Sequence, residues 1–221
     1  MPWDKPNLGD NGSMAKTPAQ RAAKHGTAAT PPITPAVNTS TQRTPAKAQG
    51  NANLILIAGA AASLFLFTYF HLMTLNQMTD LSNGLAMPQS FVLGFDTAHV
   101  EALRAAMDAD ALGQLNYVGK TAGTLFPLIF AITALTLIAA NVAKKPLRWA
   151  MWALPLAFAA ISLWANAAVD SMLGAETLDA GAVSLASGLV TASWMLLIAS
   201  LLALGVALFL GRRKKTAPAE V

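Results

Sequence analysis

The stretch TAGTLFPLIFAITALTLIAANV, residues 121–142, contains no Asp, Glu, Lys or Arg over 22 consecutive positions. A helix of this length crosses the hydrocarbon core of a bilayer, which is about 30 Å thick. Three further runs of the same kind occupy residues 52–73, 149–168 and 189–210. None alternates between polar and apolar residues as barrel strands do, so each run predicts a helix. The sequence therefore predicts an all-α integral membrane protein, built as a bundle of four transmembrane helices.

The rest of the chain is divided around these four runs. Residues 1–51 form a tail rich in Pro, Ala and Thr, and residues 212–221 form a short basic C-terminal tail. The transmembrane domain takes up residues 52–211. Within it, residues 74–120 form a long outer loop between the first two helices, and we expect a short helical cap in this loop.

The outer loop contains recognisable turn and cap signals. Asn83-Gly84 predicts a turn, since both residue types tolerate the left-handed backbone that tight turns require. Asp96 or Thr97 predicts the start of one short helix, and Asp108 and Asp110 predict the start of the next.

Basic residues are distributed unevenly along the chain. Thirteen of the fifteen Lys and Arg residues lie in the two tails or in the short segment 143–148, whereas the opposite side has two basic and eight acidic residues. Short loops rich in Lys and Arg stay in the cytoplasm. Both termini are therefore predicted to be cytoplasmic. The cluster Arg212–Lys215 is expected to contact anionic lipids at that face, not nucleic acid.

No catalytic motif stands out in the sequence. The chain has no Cys, which excludes disulfides and thiolate chemistry, and it lacks nucleophile elbows, phosphate-binding loops and zinc-protease motifs. Ionisable side chains inside a membrane are the usual markers of function, and the four runs carry no Asp, Glu, Lys or Arg. His71, at the end of the first run, is expected at the membrane interface. We therefore expect no catalytic residue, no cofactor, no metal and no titratable group between the helices.

Two patterns offer contacts for a partner protein. Val100, Leu103 and Met107 share one face of the first short helix in the outer loop. That face either covers the outer end of the protein itself or docks on another subunit. The N-terminal tail adds three apolar side chains that can anchor it along a partner, Trp3, Leu8 and Met14.

Small and polar side chains mark where the transmembrane helices can pack closely. Gly59 and Ser63 lie four residues apart in the first helix, and Ala203 and Ala207 share a face of the fourth. Asn166 is expected to form a hydrogen bond from the third helix to another helix. The aromatic residues near the helix ends predict an interfacial belt, with a substrate cage as the alternative: Tyr69, Phe70, Trp149, Trp152, Trp164 and Trp194.

Residues 52–210 resemble an uncharacterised group of bacterial four-helix membrane proteins. The resemblance is carried by residues 94–103, GFDTAHVEAL, then by Tyr117 and by Phe126-Pro127. The third helix of that group carries Asp-Leu-x-Glu-Asn, and the matching stretch here, SLWAN, keeps the Leu and the Asn but neither acid. The chain also looks like a small accessory subunit of the actinobacterial respiratory supercomplex of cytochrome bcc and cytochrome oxidase. Both resemblances imply the bacterial plasma membrane.

Three functions are expected from these observations. The leading one is a non-catalytic accessory or structural subunit of a larger membrane complex, which the resemblance places in a respiratory supercomplex. The alternative is a small-molecule or lipid-binding membrane protein with its site under the outer loop. The third is a membrane enzyme that uses His71, His99 and nearby acids, side chains that could also hold a surface metal. The expected partners are other membrane-complex subunits and lipids.

Overall fold

The computed structural model describes the backbone of residues 45–216 and the side chains of residues 53–213. All regular structure in this part of the chain is helical, as predicted. A π-helical segment, Thr68–Thr74, joins the first helix to the second, and a 3₁₀ turn occupies Pro88–Ser90. The α-helices are α1 (Pro45–Phe67), α2 (Leu75–Leu81), α3 (Thr97–Ala106), α4 (Ala109–Lys120), α5 (Ala122–Asn141), α6 (Lys145–Gly174) and α7 (Ala180–Thr216).

Four helical stretches are long and apolar enough to cross a membrane, which confirms the predicted number. They are span 1 (Asn53–Leu81), span 2 (Ala109–Asn141), span 3 (Lys145–Gly174) and span 4 (Ala180–Arg213). Each is longer than its apolar run because backbone hydrogen bonding does not stop where hydropathy falls. Thirty residues at 1.5 Å each give about 45 Å, which matches a bilayer with its headgroups.

The four spans do not pack equally. Span 3 packs along span 4 and along α5, and α5 also contacts span 4, so these three helices touch one another. Span 1 makes its extensive contacts with span 2 alone. Most of the surface of span 1 is therefore left uncovered by the part of the chain that the structure describes.

The connection between spans 1 and 2 has the turns and caps that its sequence predicts. Asn83 and Gly84 adopt φ values of 55° and 89°, which is the left-handed turn expected there. The side chain of Asp96 accepts a hydrogen bond from the backbone N–H of His99 at 2.9 Å, and Asp108 caps the next helix. The backbone N–H of Phe95 donates to the Ser187 hydroxyl at 2.8 Å, which ties the connection to span 4.

The apolar face of α3 is turned inwards. Val100 and Leu103 have no exposed surface, Met107 is buried beside them, and all three belong to a core that also contains residues of spans 1 to 4. Their assignment as contacts for a partner is therefore wrong. An amphipathic helix buries its apolar side on the nearest apolar surface, and here that surface is the end of the protein's own spans.

The helix ends differ from the predicted boundaries. Helix α1 begins at Pro45, within the predicted tail, because proline suits the first helical turn and the Ala, Lys and Gln that follow favour helix. Helix α7 continues to Thr216, past the predicted end at residue 210. Trp3, Leu8 and Met14, with the contact predicted for the tail, lie outside the described residues.

Candidate functional site

A histidine lies between the spans. His71 belongs to the π-helical segment of span 1, and its ring stacks on Phe67 with 4.7 Å between ring centroids. Phe126 of span 2 and Trp194 of span 4 meet the same ring nearly edge-on, at 5.7 Å and 5.1 Å. The expectation of no titratable group between the helices is therefore wrong. Single π-helical turns inside helices are frequently found at functional sites, which makes this segment a candidate for one.

A cavity of about 40 Å³ lies beside His71. Gln89 reaches it from the 3₁₀ turn of the connection and is only 5% exposed. The indole N–H of Trp194 donates to the backbone carbonyl of Gln89 at 3.1 Å, which fixes the turn over the ends of the spans. The cavity is lined by Phe70, His71, Gln89, Gly123, Phe126, Pro127, Phe158, Ser162, Ala165, Asn166, Val190, Ser193, Trp194 and Leu197.

One polar atom of a lining residue is buried and has no hydrogen-bond partner: Oε1 of Gln89. Buried polar atoms are nearly always paired in folded proteins, so an unpaired one needs an explanation. An unpaired acceptor on a residue that lines a cavity makes this cavity a candidate site for a polar group.

The opposite wall of the cavity is formed by spans 2 and 3. The side-chain amide of Asn166 donates to the backbone carbonyl of Gly123 at 2.8 Å, so this residue links the two spans. A Cβ atom on Gly123 would lie 3.0 Å from Nδ2 of Asn166, which is tight enough to favour glycine at this position. Phe126, Pro127 and Asn166, which carry part of the resemblance described above, all line the cavity.

A larger apolar groove adjoins the cavity. It has a volume of about 540 Å³ and lies between spans 1 and 4, with α5 as its floor, because span 1 does not pack along span 4. No charged side chain lines it. Its lining consists of Ala60, Ser63, Leu64, Phe67, Val92, Phe126, Phe130, Thr133, Ala134, Leu137, Trp194, Leu197, Ile198, Leu201 and Leu204.

Residues proposed from the sequence for helix packing lie at contacts between or within spans. A Cβ atom on Gly59 would lie 2.5 Å from Oγ1 of Thr133, so glycine here sets the distance between α1 and α5. The Ser63 hydroxyl is buried and donates to the carbonyl of Gly59 at 2.8 Å. Ala203 and Ala207 are buried in a cluster with residues of α5 and α6.

The two histidines of the expected enzyme site are not brought together. Nε2 of His99 hydrogen-bonds to the carbonyl of Ala86 at 2.9 Å, and its ring packs on Phe91. His71 instead faces the aromatic rings between the spans. Among the residues with described side chains, no group of three His, Asp or Glu residues is placed to bind a metal ion. The third expected function has no assembled site in this part of the chain.

Comparison of the chain with protein families, with curated proteins and with solved structures finds no match. The resemblance to bacterial four-helix membrane proteins and to a respiratory accessory subunit therefore stays a prediction.

Proposed function

We propose that this protein is a non-catalytic membrane protein that binds a small molecule in the cavity between His71 and Gln89. The observation that carries the proposal is the buried, unpaired Oε1 of Gln89, a residue that lines that cavity. This function was the alternative in the sequence-based expectation. It moves to first place because one cavity is lined both by His71 of span 1 and by Gln89, a residue of the connection between spans 1 and 2.

The size and charge of the cavity limit what can enter it. One water molecule needs roughly 10–15 Å³ of cavity volume. A cavity of about 40 Å³ therefore admits two or three waters, or one chemical group with the volume of two or three waters. A charged group would lose its hydration without an oppositely charged partner among the lining residues. Leaving a buried acceptor unpaired costs about 1–3 kcal/mol, and a ligand that pairs with it recovers that free energy.

The same lining argues for binding without catalysis. Among its members His71 is the only ionisable side chain, and the Ser193 hydroxyl is already donated to the carbonyl of Val190 at 2.8 Å. A single ionisable group is a poor arrangement for general acid–base catalysis, and neither of the lining serines, Ser162 and Ser193, forms a hydrogen bond with His71 that would activate it.

We also propose an arrangement in the membrane. Spans 1 to 4 form a four-helix bundle in which span 1 is peripheral, and the connection from residue 82 to residue 108 is its outer cap. The excess of Lys and Arg in the two tails and in segment 143–148 supports cytoplasmic termini. The binding cavity then lies near the outer surface of a bacterial plasma membrane, as the resemblance implies.

Native mass spectrometry of the full chain, released from a mild detergent, tests the binding function. We expect one bound small molecule per chain in the unsubstituted protein and its loss in Gln89→Leu, which removes the unpaired oxygen and keeps a similar volume. Gln77→Leu, an exposed glutamine of α2, is the matched control and should keep the ligand. An unsubstituted chain with no bound mass, together with a Gln89→Leu variant of higher thermal stability, would mean that the cavity holds only water.

A second candidate, the accessory subunit, is favoured by one observation. Leu54, Ala58, Ala61 and Phe65 share a face of α1 that is exposed, and this face points away from α5 and from the groove. Small residues flanked by large apolar ones suit the close approach of another transmembrane helix. A partner subunit packed on this face would leave the cavity unaffected, so the two functions are compatible.

Purification with a tag in gentle detergent tests the accessory role. Subunits of a membrane complex, respiratory ones first among them, should co-purify in fixed proportion with the unsubstituted chain. The double variant Ala58→Phe, Ala61→Phe should lose them, because two phenyl rings hold a partner helix away from α1. Ala153→Phe, at an exposed alanine of span 3, should retain them. Purification of the unsubstituted chain alone under these conditions contradicts the role.

A further inference from the structure

We infer that the ligand is a single-chain amphiphile with an uncharged hydroxyl head, bound with its head in the cavity beside His71 and its chain in the groove between spans 1 and 4. The inference rests on the proposed small-molecule function. It adds the chemistry of the ligand and the place of its apolar part.

The first argument is that the cavity and the groove are neighbours. Phe126, Trp194 and Leu197 line both of them. The connection between spans 1 and 2 reaches both of them, since Gln89 lines the cavity and Val92 lines the groove. The inference requires a passage past these shared side chains, through which the polar end of one molecule enters the cavity while its apolar end lies in the groove.

The second argument concerns the chain. The floor of the groove runs along α5 from Phe126 to Leu137, about 16 Å at 1.5 Å per residue, which is close to half of the hydrocarbon thickness. The hydroxyl of Ser63, one of its few polar groups, is already donated within α1. An apolar chain that spans one leaflet fits this length and this lining.

The third argument concerns the head. Oε1 of the Gln89 amide is an acceptor only, so its partner must be a donor. Nδ1 of a neutral His71 accepts when the proton is on Nε2. A hydroxyl group donates and is small, whereas an ester or ketone oxygen cannot donate and a carboxylate finds no cation in the lining. The charged headgroup of a phospholipid is too large for about 40 Å³, so bulk lipid fills the groove without its head entering the cavity.

Quenching of Trp194 fluorescence tests the inference. A full-length variant keeps Trp194 alone, with Trp3, Trp149, Trp152 and Trp164 changed to Phe. A companion variant keeps both Trp194 and Trp164, which is exposed on span 3, so the difference between the two variants reports Trp164 with the site intact. The probe is octadecanol with two bromines at mid-chain. We expect saturable quenching of Trp194 and weak, non-saturable quenching of Trp164. Native mass spectrometry of the unsubstituted chain with the same probe gives a second readout that needs no tryptophan replacement.

Two sets of comparisons test where the apolar chain binds and which head group is required: one compares two variants of the protein, and the other compares probes with different heads. Ala60→Phe fills the groove from an exposed position and should raise the half-saturation concentration about tenfold or more, which is about 1.4 kcal/mol of binding free energy. Ala61→Phe, next to it but outside the groove, should leave binding unchanged. The brominated octadecane and the brominated stearate should not saturate Trp194, because the first lacks a hydroxyl and the second is charged.

The outcomes separate this inference from the function on which it rests. Equal quenching by the alkane and the alcohol, or no effect of Ala60→Phe, overturns the amphiphile, even if a small bound mass is still lost in Gln89→Leu. If Gln89→Leu loses no bound mass and octadecanol quenches both tryptophans alike, the groove is ordinary lipid-facing surface and the binding function fails as well.

Discussion

Changing Leu103 to Ala should destabilise the protein by about 2–5 kcal/mol, the range measured for leucine-to-alanine changes in packed cores. The Leu103 side chain has no exposed surface and belongs to the cluster that joins α3 to the ends of the spans. Its removal leaves a cavity that the surrounding helices can fill only in part. The measurement is the free energy of unfolding of the purified chain in one detergent, from a denaturant series.

Leu93→Ala is the matched control for this prediction. Leu93 lies in the same connection but is 85% exposed, so its truncation should change the free energy of unfolding by about 0.5 kcal/mol or less. If Leu103 were instead a contact for a partner, its truncation would leave the isolated protein as stable as the Leu93 variant. Equal free energies of unfolding for the Leu103→Ala and Leu93→Ala variants would therefore support a partner-binding role for the apolar face of α3, which the burial of Leu103 argues against.

The four spans could be predicted because a charge-free run of about 20 residues is a local signal that membrane thickness fixes. The helix caps at Asp96 and Asp108 are local signals in the same sense. Each carboxylate accepts a hydrogen bond from a backbone N–H only three residues further along the chain. The periodicity of Val100 and Leu103 also predicted an apolar helix face. Periodicity does not show whether that apolar face packs on the protein itself or on a partner protein. Only the structure, in which Val100 and Leu103 are buried in the protein's own core, distinguishes the two.

The cavity could not be predicted because its parts meet only through distant contacts. Gln89 stands in a largely apolar stretch of loop, residues 85–93, and its backbone carbonyl accepts a hydrogen bond from Trp194, which is 105 residues away. His71 ends an apolar run, a position that fits an interfacial residue equally well. The π-helical segment that carries His71 has no sequence signature of its own. One feature of the sequence did point to the cavity. Phe126, Pro127 and Asn166 carry part of the resemblance to the bacterial four-helix proteins, and all three line the cavity.

Changing Gly59 to Ala should destabilise the protein by about 1–3 kcal/mol, the usual result of adding a methyl group to a contact without space for it. The added Cβ would lie 2.5 Å from Oγ1 of Thr133 and 3.1 Å from its Cγ2. A threonine in a helix has only two common χ1 rotamers, so Thr133 has little freedom to turn away. Span 1 must therefore move away from α5, the main element that supports it. Thermal unfolding in a fixed detergent, followed by far-UV circular dichroism, measures the change.

Gly205→Ala separates this steric effect from the intrinsic helix preference of alanine. Gly205 lies in span 4 with no atom of another residue near its added Cβ, so the substitution should be neutral or stabilise by up to about 1 kcal/mol. Thr133→Ala in the Gly59→Ala background should recover most of the lost stability, because it removes both atoms that the new Cβ approaches most closely. Failure of that second substitution to rescue, with Gly59→Ala still destabilising, would place the strain within α1 itself. The close contact between α1 and α5 would then not be what holds span 1 in place.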